Sequence, residues 1–190
     1  VVGSPSFAAG FIGRAYAGAT NAYLTFPTAG LLQSQLSAVF WYKVNAVPDR
    51  AGMLVIGPPD PNNPNNQNFR AHGFRLFREN AAGKQRVKLN VGNGTNDNWF
   101  DGGAAADIDP AAGEWVHVAF SISGNSVAVY LNGQVVSQGT FPGISWTGCN
   151  IMSIASGAPR FTGWNHLSDV SLFDELRLFN RALTQEEIQA

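Results

Sequence analysis

The chain has 190 residues, of which only 13% are charged, and a formal net charge of −1; without a basic block it lacks the positive stripe that nucleic-acid binding requires. A lone cysteine, Cys149, excludes an internal disulfide, and no apolar run reaches the ~18 residues of a membrane span. Low charge with 21 glycines, 10 prolines and many asparagines and aromatics points to short strands and tight turns.

In chain order, alternating apolar residues predict strands at 22–26, 37–44, 52–56, 73–78 and 85–92. Residues 57–68, GPPDPNNPNNQN, read as a surface loop, because proline removes backbone donors and asparagine accepts turn conformations. Residues 115–138 read as a three-stranded meander. Val116, Val118, Phe120 and Ile122 alternate along its first strand, Val127, Val129 and Leu131 along its second, and Asn132-Gly133 is a two-residue hairpin signal. Loops follow at 140–148 and 157–167, around strands at 150–156 and 171–179. A short C-terminal helix begins at the N-cap Thr184, with Glu187 completing a capping box and Leu183 and Ile188 a hydrophobic staple. Nothing divides residues 1–190, so one all-β domain is expected, a two-sheet antiparallel jelly-roll sandwich with that helix at its end. A chain of this size buries roughly 70% of its unfolded surface. It opens inside domain-like sequence without a signal peptide, as a mature or excised domain would.

Four segments carry a resemblance. They are the GRAYAGATNAYL stretch at 13–24, SAVFWYKV at 37–44, GEWVHVA at 113–119 running on to VYLNGQ at 129–134, and DELRLFNRAL at 174–183. In this order they resemble the laminin G-like, concanavalin A-like jelly-roll domains, in the form found on bacterial polysaccharide-utilisation surface proteins. The resemblance implies a non-catalytic, lectin-like module that binds polysaccharide or oligosaccharide. It also implies export, to the extracellular space or the outer-membrane surface, beside other domains of a larger protein. A protein-binding or adhesive module is the alternative, and a glycoside hydrolase or lyase a third.

Catalytic signals are sparse. Hydrolases of this superfamily carry Glu-x-Asp-x-x-Glu, and the spacing of Asp169, Asp174 and Glu175 does not match it. Asp107 and Asp109 are two apart but lie in a turn-forming stretch, and are expected to be solvated. His72, His117 and His166 lack metalloenzyme spacing. No enzyme activity is expected.

Sugar recognition combines aromatic faces with a few placed polar groups. The candidates are Asp97, Asn98 and Trp99 in a stretch, 96–101, read as a loop, then Trp146, then Arg160 and Trp164, with His72 and Arg75 beside the Pro/Asn loop. Trp41 and Trp115 fall in the family strands and are expected in or near the core. Asp174 is the odd residue in an apparent row with Leu172, Leu176 and Leu178. A carboxylate there is costly unless it is paired or coordinated. Its partner could be Arg14 or Arg177, backbone N–H groups, or Ca²⁺. The resemblance implies a structural Ca²⁺ on Asp174, the Asn21 side chain and the Gly18 carbonyl. With or without metal, Asp174 is expected to clasp the loop at 18–21.

Overall fold

A computed structural model describes all residues 1–190. Its strands are β1 (Ser6–Ala9), β2 (Arg14–Ala17), β3 (Leu24–Pro27), β4 (Leu36–Lys43), β5 (Arg50–Ile56), β6 (Phe74–Ala81), β7 (Lys84–Gly92), β8 (Asp97–Asp101), β9 (Asp107–Ile108), β10 (Val116–Ile122), β11 (Ser126–Leu131), β12 (Gln134–Thr140), β13 (Ile151–Ile154) and β14 (Leu172–Phe179). The helix α1 spans Gln185–Gln189. The first sheet runs β1-β2-β14-β4-β10-β11-β12; the second runs β3-β13-β5-β6-β7-β8, with β9 on β7. All pairings are antiparallel, as the jelly-roll expectation requires.

Period-two alternation supplies the core. Phe40 and Tyr42 of β4, Phe120 of β10 and Val129 of β11 face Leu54, Phe74, Leu76 and Leu89 of the other sheet in one buried cluster. The Asn132-Gly133 turn has both residues at positive φ, 50° and 74°, so the meander closes as expected. The helix keeps its full capping box. It lies on the outer face of the first sheet, where Leu183 and Ile188 bury against Ala119 and Tyr130.

Two expectations fail in instructive ways. Residues 97–101 form the strand β8 and not a loop, because Asn98 and Phe100 pair with β7 and Phe100 enters the core. Asp174 does not face a leucine row. A bulge lies between Asp174 and Arg177, with Glu175 at φ 51°, and it shifts the alternation by one residue. Phe173 therefore faces the core before the bulge, and Leu176 and Leu178 pack against it afterwards. Asp174 turns to the outer face of the first sheet. There Ile12 N donates to its Oδ2 and Glu175 N to its Oδ1, each at 2.9 Å. The loop it clasps is 10–13, and not 18–21.

The fully buried carboxylate is Asp169, just before β14. Arg78 of the second sheet donates to it through Nη2 at 2.9 Å and Nε at 3.2 Å. The hydroxyl of Tyr42, from the first sheet, donates to Oδ2 at 2.6 Å, and Ser171 N donates to Oδ1 at 3.0 Å. Pro48 O and Gln85 Oε1 take the remaining Arg78 donor. Burial first, and then the Asp169 charge, push the Tyr42 hydroxyl well above its usual range, so it stays a donor. Removing one partner of such a pair strands the other charge. Asp169→Ala is expected to cost about 3–5 kcal/mol in urea unfolding. A loss under about 1 kcal/mol would show that the cluster does not hold the sheets together.

Candidate functional site

The outer face of the second sheet carries Arg75, Phe77 and Glu79 from β6, Lys88 and Asn90 from β7, and Asp97, Trp99 and Asp101 from β8. Two loops cross this face. Residues 157–168 place Phe161 and His166 on Phe77, with ring centroids 5.4 and 4.8 Å away. His166 is held at both nitrogens, Nδ1 2.7 Å from Gly163 O and Nε2 2.9 Å from Glu79 Oε1. Residues 57–72 bring Arg70 onto the sheet, where its Nε donates to Asp97 Oδ2 at 2.8 Å.

At the junction of the two loops stand two tryptophans. Trp99 is 45% exposed and Trp164 51%, far more than a packing role needs. Their centroids are 6.4 Å apart at an interplanar angle of 62°. The Arg70 guanidinium lies over both rings, 5.3 Å from Trp99 and 5.2 Å from Trp164. Trp164 and Asn165 both adopt left-handed backbone, at φ 54° and 61°. That conformation is uncommon for an aromatic residue and costs energy. It projects the indole outward while His166, two positions on, is buried.

The cations Arg70, Lys88 and Arg86 each have a carboxylate partner, whereas the buried Arg75 meets only backbone carbonyls. Arg70 has Asp97; Lys88 lies 3.0 Å from Glu79 and 3.1 Å from Asp101; Arg86 lies 2.7 Å from Asp107. Burial raises the Asp97 pKa, but the hydrogen bonds from Arg70 and Asn90 outweigh it, and the carboxyl is held below its ordinary value. The face is charged but locally neutral.

Of the residues predicted from sequence, Asp97, Trp99 and Trp164 come together here, and Arg70 joins them. Asn98 is on the opposite side of β8, with its Oδ1 3.4 Å from Asn93 Nδ2. Trp146 packs on the core and donates from Nε1 to Gln33 O at 2.8 Å. Arg160 reaches Asn150 Oδ1, and His72 Nδ1 lies 2.7 Å from Ser145 Oγ. Arg75 is fully buried beneath the Pro/Asn loop, where Nη2 donates to Phe69 O at 2.7 Å. Arg75 thus sits below the platform, where its Nη1 also reaches Arg70 O at 3.4 Å, and the other four side chains are engaged elsewhere. The turn acids are not simply solvated: Asp107 binds Arg86, and Asp109 caps a short turn through Ala111 N.

The Ca²⁺ trio is not assembled. Both Asp174 oxygens accept backbone N–H groups, whereas Gly18 packs on the Asp169 backbone and donates to Ser171 O at 3.0 Å. The Asn21 carbonyl lies against Gly3. Asp174 is met by backbone donors of the 10–13 loop and of its own strand, and no hydrogen bond joins it to Asn21 or Gly18.

The comparisons with known proteins agree with this architecture. A family model described as concanavalin A-like lectin/glucanases superfamily, of laminin G type, matches residues 18–189. The chain belongs to this superfamily. No curated protein matches it. Among solved structures, it is similar to domain 4 of AbnA, a GH43 extracellular arabinanase from Geobacillus stearothermophilus, in complex with arabinotriose; identity is 24%, coverage 98% of this chain and 80% of that one, and TM-score 0.72. The CBM40 of the Ruminococcus gnavus IT-sialidase, bound to α2,3-sialyllactose, shares 15% identity over 91% of this chain and 95% of its own, with TM-score 0.59. A heptameric SAP-like pentraxin from Limulus polyphemus shares 17% over 92% and 78%, with TM-score 0.60. At these identities the likeness is one of fold.

Two predictions follow from the site's electrostatics and from the Asp174 geometry. The His166 hydrogen bond, joined by Lys88, lowers the Glu79 pKa from 4.5 to about 2. A lowered carboxylate pKa stabilises the fold above 4.5, and that stabilisation is lost as pH falls through about 2. The stability gap between the native chain and Glu79→Gln should therefore be largest above pH 5 and shrink on acidification to pH 2; a gap constant with pH would contradict the assignment. For the termini, a chelator should leave the melting temperature unchanged, whereas a drop of several degrees would restore a bound cation.

Proposed function

We propose that this chain is a non-catalytic carbohydrate-binding module of an exported protein, and that it binds a neutral polysaccharide through the Trp99–Arg70–Trp164 platform. The observation that carries this is the pair of half-exposed indoles on an open sheet face, with the hydrogen-bonding groups of Arg70 and Asp97 between them. Indole faces pack on the C–H faces of sugar rings, and guanidinium and carboxylate groups serve hydroxyls. The pairing of Arg70 and Lys88 with carboxylates favours neutral sugars over uronates or sialates, which need a free cation. The arabinotriose and sialyllactose complexes of two similar folds support a glycan as ligand.

The non-catalytic reading rests on the fate of the acids. Asp107, Asp109, Asp169 and Asp174 are each committed to an ion pair or to backbone donors, which leaves none of them poised over an open sugar site. Extracellular or outer-membrane surface location, beside other domains, fits such a module; no helix is long and apolar enough to cross a membrane.

Affinity electrophoresis in gels containing arabinan, xylan or β-glucan tests the proposal. Retardation by at least one of these is expected. Trp99→Ala and Trp164→Ala should each weaken binding by about 10- to 30-fold, the ~1.4–2 kcal/mol of a truncated aromatic anchor, with the melting temperature nearly unchanged. Free migration in every glycan would overturn it.

A further inference from the structure

A second aromatic surface lies on the outer face of the other sheet. Trp41 and Trp115, expected in or near the core, are only partly buried there. Trp41 stands between Asp174 and His117 in one cross-strand row over β14, β4 and β10. Phe11, from the loop joining β1 and β2, stacks on Trp41 with centroids 3.7 Å apart and meets Trp115 edge-on at 6.4 Å. This aromatic group forms one wall of an open cleft of about 690 Å³.

The wall is held in place from below. Asp174 Oδ2 accepts Ile12 N, so the residue after Phe11 is anchored to the last strand. Gly10 permits this approach, because a Cβ there would lie 2.5 Å from Asp174 Oδ2. The opposite wall is the Asn132-Gly133 turn together with the end of α1. Gln185 Nε2 and Gln189 Nε2 both donate to Gly133 O at 3.0 Å, which locks helix and turn together. Both walls are therefore pinned by hydrogen bonds.

The interior chemistry is specific. No Lys, Arg, Asp or Glu side chain lines the cleft. Its polar groups are the His117 imidazole and the amides of Asn132, Gln134 and Gln189. Asn132 Oδ1 accepts His117 N and Gln189 Nε2 serves Gly133, which leaves Asn132 Nδ2 and Gln189 Oε1 uncommitted. Partial burial lowers the His117 pKa, so its ring is neutral at pH 7 and offers one donor and one acceptor. An aromatic wall facing neutral donors and acceptors, in a volume within the ~300–1,000 Å³ of ligand clefts, suits an uncharged ring bearing hydroxyls.

We infer that this cleft is a second sugar-binding site, taking a neutral glycan segment with its apolar face on Trp115 and Phe11 and its hydroxyls on His117, Asn132 and Gln134. The choice of a glycan rests on the function proposed above; the cleft and its composition do not. The two sites lie on opposite outer faces of the sandwich. One module would then engage two chains, or two stretches of one chain, and gain avidity on an insoluble polysaccharide.

Calorimetric titration of the full chain with arabinotriose, xylotriose and cellotriose tests this. Three variants accompany it: Trp99→Ala with Trp164→Ala, Gln134→Trp, and Trp115→Ala. Gln134 is exposed at the rim, so Gln134→Trp blocks the cleft without touching the core, and Trp115→Ala removes the aromatic wall independently. For a trisaccharide that binds, two equivalents are expected for the native chain and one for each variant. If the platform variant loses all binding while Gln134→Trp and Trp115→Ala keep the native stoichiometry, the second site is wrong and the platform stands. If binding survives the platform variant and disappears with Gln134→Trp, the cleft stands and the platform does not. No binding of any of the three sugars by the native chain overturns both.

Discussion

The contact on which the rest depends is the buried ion pair of Asp169 with Arg78, shared with Tyr42. It joins a residue of each sheet to the segment that leads into the last strand. Arg78 and Glu79 are neighbours on β6, so their side chains leave on opposite faces. Arg78 points inward to Asp169, and Glu79 points outward to His166. One strand thus fastens His166 within the 157–168 loop and Asp169 just past its end, from both sides of the sheet. That fastening allows Trp164 to hold a left-handed backbone and stand clear of the surface. Such strain persists only where the surroundings over-determine it.

The same anchor sets the geometry of the other sheet. With Asp169 fixed, β14 enters beside β2 in a defined register, Leu172 opposite Ala17 and Phe173 opposite Tyr16. Phe173 then fills the core against Tyr42 and Phe40. The bulge that follows re-aims the strand, so that a carboxylate reaches outward to a backbone amide. The two outer surfaces, one with Trp99 and Trp164 and the other with Trp41 and Phe11, are thus positioned by a common interior.

Much of the fold was legible from alternation and turns. The 115–138 meander, the Asn132-Gly133 hairpin and the boxed helix start are local patterns, and the structure keeps them. What escaped is non-local. The bulge at Glu175 depends on pairing with β4, and nothing at 172–179 announces it. Strict alternation therefore puts Asp174 on the wrong face, and nothing in the sequence marks Asp169 as the buried acid. β1 and β2 are rich in alanine and carry no alternation. β8 reads as polar because only Phe100 of its five residues faces the core. In the candidate site, composition marked Trp99 and Trp164 but could not separate them from Trp146, which fills a gap beside Phe74. Arg70 adjoins Phe69 at the loop's end, and its place between two indoles is a property of the folded chain alone.

The Phe11 cleft has one further property. Its walls come from residues 10–13 and from residues 185–190, segments far apart in sequence, while its floor is central β4 and β10. The sandwich core can therefore assemble before the cleft exists, because neither Phe11 nor Gln189 belongs to it. During synthesis the cleft is completed only after residues 185–190 have emerged and folded. Loss of either segment, 10–13 or 185–190, would erase it and leave the tryptophan platform in place, turning a bridging module into one with a single contact.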